Sequence, residues 1–318
     1  MGKILSAGYA ELWEGFLAYE QRRTTVQSFK SIRLASFELL KWFEAHDIRV
    51  EEATVQDALE YKAAVAGRVT KEGKPVTAGT CCSLLKAGRT FFRYLVMSGR
   101  RDSNPFMAVR YPRLPQRIHR NVLSEAQMNA LLEKLRRFTS VAQYKAHIIA
   151  ELLYATGLRI AEAASLVPAD IDTRGRLVYV REGKGGKSRT AFLTGYAAEV
   201  LERYLARGRD RTLCGYHRSR LYGHTLFGVG FAQLKMTINT ALSSFCRELE
   251  LPLITSHGFR HSLGTHLLRA GCDIRHIQVI LGHEDLRSTQ VYTRVDKDDV
   301  KASLDAHHPR QWKQEGQR

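Results

Sequence analysis

The chain is poor in the features that would give a scaffold by covalent or membrane means. It has five cysteines, Cys81, Cys82, Cys214, Cys246 and Cys272. The number is odd and no C-x-x-C spacing occurs, which argues against a disulfide framework and against a zinc ribbon. Free thiols suit a reducing compartment, so a cytoplasmic location is expected. No stretch approaches the roughly twenty apolar residues of a membrane span, so no membrane partner is expected. The opening "MGKILSAGYAELWEGF" shows acidic residues before any signal-like apolar core could form. "MGKILS" fits only the loose acylation pattern at an N-terminal glycine. There is no Gly-rich phosphate loop of the dinucleotide or Walker type, no internal repeat and no low-complexity tract. Acidic side chains are also in short supply. Thirty-two Asp+Glu stand against 49 Lys+Arg, a formal charge of +17 with a pI near 9.8. A surplus of that size makes a polyanion, nucleic acid above all, the first partner to consider.

What the sequence does contain is helix. Residues 9–20, 24–46, 54–69 and 77–99 repeat apolar side chains at three- and four-residue spacing. Thr24 and Thr54 are placed as N-caps and Gly99 as a stop. Together, 1–110 reads as a basic, all-helical domain. The run "NPFMAVRYPRLPQRIHRNVLSEAQ" follows, with three prolines and five basic side chains. It reads as an extended linker, placed at 111–121. Ser124 and Gln127 then form a capping-box pattern that opens the next helix. Helices are expected at 124–137 and 144–157, the latter closed by Gly157. Residues 176–193 alternate around "GKGG" and predict a β-hairpin. Helices resume at 195–207, 233–249, 257–270, 273–281 and about 286–294. With 318 residues, two domains are the natural division, the second spanning 122–299 with a tail at 300–318.

Four short segments carry unusual polar residues. In "ATGLRIAEAASL", Arg159 follows a glycine stop and leads an apolar run, where a snorkelling surface arginine would also fit. In "GKGGKSR", glycines flank Lys184, which could equally be a flexible, soluble turn. In "SHGFRHSLGTHLLRAG", His257 and Arg260 lie three apart and share a helical face, above a stripe of Leu263, Leu267 and Leu268. His261 and His266 read as packing or capping histidines. A metal pair at His257 and His261 lacks both the intervening Glu of H-E-x-x-H and a third ligand. Finally, "LGHEDLRSTQVYTRV" holds His283 and Tyr292. Continuous helix would separate them by about 13 Å, whereas a break after Gly282 would let them converge.

Each segment is weak alone. In this order and spacing, the Arg, Lys, His-x-x-Arg, His and Tyr residues resemble the tyrosine recombinases, the lambda-integrase-like enzymes. The Xer-type and mobile-element integrase branches look nearest. The resemblance runs over essentially the whole chain. It implies a mainly α fold with a small β-sheet or hairpin in the C-terminal domain. The architecture would be a two-domain C-shaped clamp, a helical SAM-like core-binding domain joined to a recombinase catalytic domain. By position, Arg159 and Arg260 match the arginine pair of that family's site, Lys184 the hairpin lysine, His257 and His283 the two histidines, and Tyr292 the nucleophile. "SLGTHLL" and the proline-free "SRTAFL" depart from the usual pattern, though not at a reactive position.

The implied activity is site-specific DNA recombination through a 3′-phosphotyrosyl intermediate and a Holliday junction, with no cofactor, metal or ATP. The implied partner is double-stranded DNA with an inverted-repeat core, held by a homo- or hetero-tetramer on two sites. The 300–318 tail would pack on a neighbouring protomer. Alternatives are a type IB topoisomerase-like relaxing enzyme and a catalytically idle DNA-binding accessory protein. Arg22, Arg23, Lys86, Arg89, Arg93, Arg117, Arg120, Arg209, Arg211, Arg218 and Arg220 are candidate DNA contacts, mostly to phosphates. A merely solvated basic face is the alternative for these residues.

Overall fold

The computed structural model describes residues 5–24, 26–70, 73–113, 122–181, 188–213, 221–282 and 297–310. The chain divides into two compact units, 1–117 and 118–318. Among the described residues, no helix is long and apolar enough to cross a membrane.

The first unit holds α1 (Ala7–Gln21), α2 (Val26–Ala45), α3 (Val55–Ala66) and α4 (Ala78–Met97), followed by a 3-10 turn at Pro105–Met107. Local chemistry sets the helix starts. The Thr54 hydroxyl accepts from the Asp57 amide while the Asp57 carboxylate accepts from the Thr54 amide, a reciprocal cap. Thr77 caps α4 through the Thr80 amide. The apolar faces meet in an aromatic core of Phe16, Phe43, Tyr61, Phe91, Phe92 and Phe106, all fully buried. Edge-on and tilted ring pairs such as Phe16–Phe91 and Phe43–Phe92 suit the ring quadrupoles.

The second unit is built around one buried helix. It contains α5 (Glu125–Arg136), α6 (Val141–Thr156), α7 (Ile160–Ser165), strands β1 (Ile171–Asp172), β2 (Leu177–Val180) and β3 (Arg189–Phe192), then α8 (Gly195–Arg203). A π-helical turn (Tyr204–Gly208), α9 (Arg209–Leu213), α10 (Phe231–Glu248), α11 (Ser256–Arg269), α12 (Ile274–Leu281) and α13 (Lys297–His307) follow. The strands form an antiparallel sheet in the order β1-β2-β3, with Val180 opposite Arg189. The predicted hairpin is therefore present, with an added two-residue edge strand. Ser124 and Gln127 make the predicted reciprocal cap of α5.

Every residue of α6 from Lys145 to Thr156 is buried. Most of its polar members are answered, although His147 Nδ1 is buried without a hydrogen-bond partner. Lys145 Nζ donates to Phe227 O at 3.0 Å. The Tyr154 hydroxyl pairs with His266 Nδ1 at 2.8 Å, and His266 Nε2 lies 2.8 Å from Leu123 O. A carbonyl only accepts, so His266 carries its proton on Nε2 and receives the tyrosine hydroxyl on Nδ1. Gly157 ends α6 at φ +63°. A Cβ there would lie 2.6 Å from Leu281 Cδ2 and 3.2 Å from Leu263 Cδ2. Glycine is thus required both by conformation and by the approach of α11 and α12.

The segment expected to be a tail is folded into this unit as far as residue 310. Val300 and Leu304 join the core, and His308 and Arg310 are buried. Arg310 forks onto the Glu151 carboxylate of α6, reaches Glu133 Oε1 at 3.0 Å and stacks on the Tyr196 ring. Burial opposes its charge, but Glu151 and Glu133 outweigh burial and hold Arg310 above the usual arginine range. The physical reason for docking here is a carboxylate buried at mid-helix, which needs a cation from elsewhere in the chain. Residues 311–318 lie outside the described ones, as does the helix expected at 286–294.

Two outcomes follow for stability. Arg310→Ala leaves Glu151 buried and unpaired, which should cost about 3–5 kcal/mol, read as a lower urea midpoint at unchanged m-value. Gly157→Ala forces an L side chain into the left-handed region and should cost about 1–3 kcal/mol, measured in the same way.

Candidate active site

The two arginines singled out in the sequence come together at the end of α6. Gly157 turns the chain out of α6, so Arg159 stands two residues later at the head of α7. Glu162, at the third helical position, reaches back. Its Oε2 accepts from the Arg159 amide at 2.8 Å and its Oε1 from Arg159 Nη1 at 3.1 Å. The Arg159 side chain remains 31% exposed, so its fork is reachable from solvent. Arg260 arrives from α11. It is buried, and its Nη1 donates to Gly157 O at 2.7 Å. Its Nη2 is buried with no hydrogen-bond partner.

A third guanidinium completes the group. Arg189, the first residue of β3, donates from Nη2 to Glu162 Oε2 at 3.0 Å. One carboxylate thus serves two arginines directly, with Arg260 beside them. Burial, then the charges of Arg159 and Arg189, push Arg260 down to about 10, with Glu162 alone opposing. Burial works to raise the Glu162 carboxyl. Arg189, the Arg159 amide and the Arg159 guanidinium overrule it and hold Glu162 below its ordinary range. Three cations around one anion leave a strongly positive corner with an unpaired N–H. Such a corner is built to receive a further anion. Planar forks match two non-bridging phosphate oxygens better than point charges would.

His257 lies on the second residue of α11 and is exposed. Its ring meets His261 edge-on with centroids 4.5 Å apart. Among the described residues no three His, Cys, Asp or Glu side chains come together as a metal site. Lys184, His283 and Tyr292 lie outside the described residues, but the elements that lead to them are placed. β2 and β3 flank the segment that contains Lys184, and α12 ends at Gly282, φ +62°, immediately before His283.

Sequence reading missed Glu162 and Arg189. The signal for Glu162 was its place three residues after Arg159, a capping-box spacing without the usual small polar cap. For Arg189 no periodicity pointed inward.

The candidate DNA contacts separate by environment. Arg22, Arg23, Lys86 and Arg93 are exposed. Arg89 donates to the carbonyls of Phe106, Met107 and Val109 and lies over Tyr111. Arg209 likewise donates to the carbonyls of Gly223, Thr225 and Leu226. Both guanidiniums hold irregular segments of their own units, because turns expose carbonyls that helices would otherwise satisfy. Arg117, Arg120, Arg218, Arg220 and the Arg211 side chain lie outside the described residues.

Comparison with known proteins shows the family and the fold. The phage integrase family matches residues 121–299. Tyrosine recombinase XerD of Vibrio vulnificus (strain YJ016) is 30% identical over 311 residues, covering 95% of this chain and 96% of the relative. XerD of Yersinia pestis is 32% identical over 295 residues, 91% of this chain and 94% of the relative. Among solved structures, the Tn1549 transposon integrase in complex with circular intermediate DNA superposes with a TM-score of 0.66 at 18% identity, over 93% of this chain and 98% of that one. The XerH site-specific recombinase bound to a palindromic difH substrate gives 0.64 at 16% identity, over 93% and 84%. At such identities the structural likeness speaks for the fold, while the sequence matches speak for descent. The chain belongs to the phage integrase family, the tyrosine recombinases.

Proposed function

We propose that this tyrosine recombinase performs site-specific DNA recombination with Arg159, Lys184, His257, Arg260, His283 and Tyr292 as its reactive set. The observation that carries the reading is the meeting of Arg159 and Arg260 around Gly157, with an Arg260 N–H left unpaired and a carboxylate holding the Arg159 fork. A scissile phosphodiester is an anion whose non-bridging oxygens gain charge in the transition state. Two guanidiniums fixed before the substrate arrives stabilise that charge without reorganising.

In this reading the Tyr292 phenol, with an ordinary pKa near 10, loses its proton in the positive site, with His257 as base or donor. Its oxygen attacks phosphorus, the bond to the 5′ oxygen breaks, and a 3′-phosphotyrosyl link forms. Lys184 protonates the leaving 5′-hydroxyl and His283 donates to the phosphate. A 5′-hydroxyl from a partner duplex then attacks and frees the phenol. The bond energy is stored in the covalent link, so ATP is not consumed. Two successive strand-pair exchanges pass through a Holliday junction, which calls for four protomers on two inverted-repeat sites. DNA recognition is shared by the helical unit and the catalytic unit. Arg22, Arg23, Lys86 and Arg93 serve as phosphate contacts, as do Arg117, Arg120, Arg211, Arg218 and Arg220. The alternatives of supercoil relaxation alone and of a catalytically idle accessory protein have no observation in their favour.

A duplex nicked beside the scissile phosphate should trap a covalent protein–DNA complex. Tyr292→Phe should abolish the complex and leave site affinity within about threefold, where a tenfold change is 1.4 kcal/mol. A trapped Phe variant would move the nucleophile elsewhere. Lys86→Ala with Arg93→Ala should weaken specific and non-specific binding alike. It should also reduce the salt slope of log Kd by about 2, measured by titration at several salt concentrations.

A further inference from the structure

Both ends of the segment that contains Lys184 are tied by an arginine–carboxylate pair. At the end of β2, Arg181 Nε donates to Asp170 at 2.6 Å, with the arginine largely in solvent. At the start of β3, Arg189 pairs with Glu162, and here the two side chains are only 17% and 4% exposed. The Nε and Nη1 atoms of Arg189 are buried and have no hydrogen-bond partner. A buried guanidinium serving only the fold would ordinarily have its donors satisfied.

The surroundings of Arg189 connect three parts of the site. Its strand follows Lys184 in the chain. Its Nη2 shares Glu162 Oε2 with the Arg159 amide, so the carboxylate that holds the Arg159 fork is itself held by Arg189. Its side chain also lies against Gly282. A Cβ on that glycine would come 2.8 Å from Arg189 Cδ and Nε. Gly282 closes α12, whose last carbonyls carry the negative end of the helix dipole, a favourable place for a cation. The next residue in the sequence is His283. One side chain thus touches the carboxylate beneath Arg159 and the end of α12 that leads to His283.

We propose that Arg189 is a positioning residue of the recombination reaction: through Glu162 it sets the Arg159 fork for the scissile phosphate, and against Gly282 it sets the exit of α12 toward His283. This rests on the roles proposed for Arg159 and Tyr292. Arg189 need not touch DNA. It acts on the geometry of groups that do, where a displacement of an ångström can cost about 100-fold in rate.

The test uses the full chain and the nicked duplex, with covalent-complex formation followed at saturating protein. Arg189→Gln should slow that step by about 100-fold while the Kd for the same duplex stays within about threefold. Arg189→Lys keeps the charge but not the fork and should fall between, about tenfold slow. Glu162→Gln combined with Arg189→Gln should be no slower than the slower single variant, because both act through the same guanidinium. A Gln variant that cleaves at the wild-type rate overturns the proposal, and so does a double variant whose losses multiply. Should Arg189→Gln fail to fold, the Lys variant decides: a folded, fully active Lys variant overturns the proposal and a slowed one with unchanged Kd upholds it. A wild-type chain that traps no complex would remove the nucleophile reading and this one together. Trapping by wild type with an unimpaired Arg189→Gln would remove this one alone.

Discussion

Three guanidiniums crowd one corner of the second unit, and Glu162 is the anion that makes this tolerable. Like charges in a partly dry site repel strongly, and each would be driven outward without a shared counter-charge. Glu162 accepts from Arg159 twice and from Arg189 once. It can do so because α7 begins at Arg159, which places a third-position carboxylate over the helix start. The positive charge that remains favours a further anion, such as a phosphodiester. The same carboxylate therefore lets the three cations stand together without cancelling the attraction they exert on an anion.

That corner is precise because of what stands behind it. α6 is buried along most of its length and ends in a left-handed glycine. Its last carbonyl before the turn, at Gly157, is the one Arg260 holds. The close approach of Leu263 and Leu281 to Gly157 brings α11 and α12 to the same point. Packing and chemistry thus meet at one residue. A methyl group there would disturb the helix stop, the core contact and the Arg260 anchor at once.

Much of this was readable in the sequence. The long helices announced themselves by periodicity, and α5 by the Ser124–Gln127 pattern. Arg159 and Arg260 were picked out by their spacing to glycine and histidine and by family likeness. The illegible parts are those decided by tertiary context. α7 is six residues long and starts without a small polar cap, so the spacing of Glu162 to Arg159 is the one local mark of its start. β1 has two residues and exists only by pairing with β2. The 297–307 helix and Arg310 gained their place from a carboxylate 159 positions upstream, a link no window of sequence contains. Arg89 and Arg209 looked like their exposed neighbours until the carbonyls they serve were in view.

The Arg310–Glu151 pair also bears on the order in which the second unit can assemble. Glu151 lies within the helix around which that unit is built, and its counter-charge comes from 159 positions downstream. A contact of that separation closes a long loop, so its entropy is lost before the pairing returns anything. The helix can form early from local contacts, but its interior carboxylate waits for a partner from a distant part of the unit to arrive.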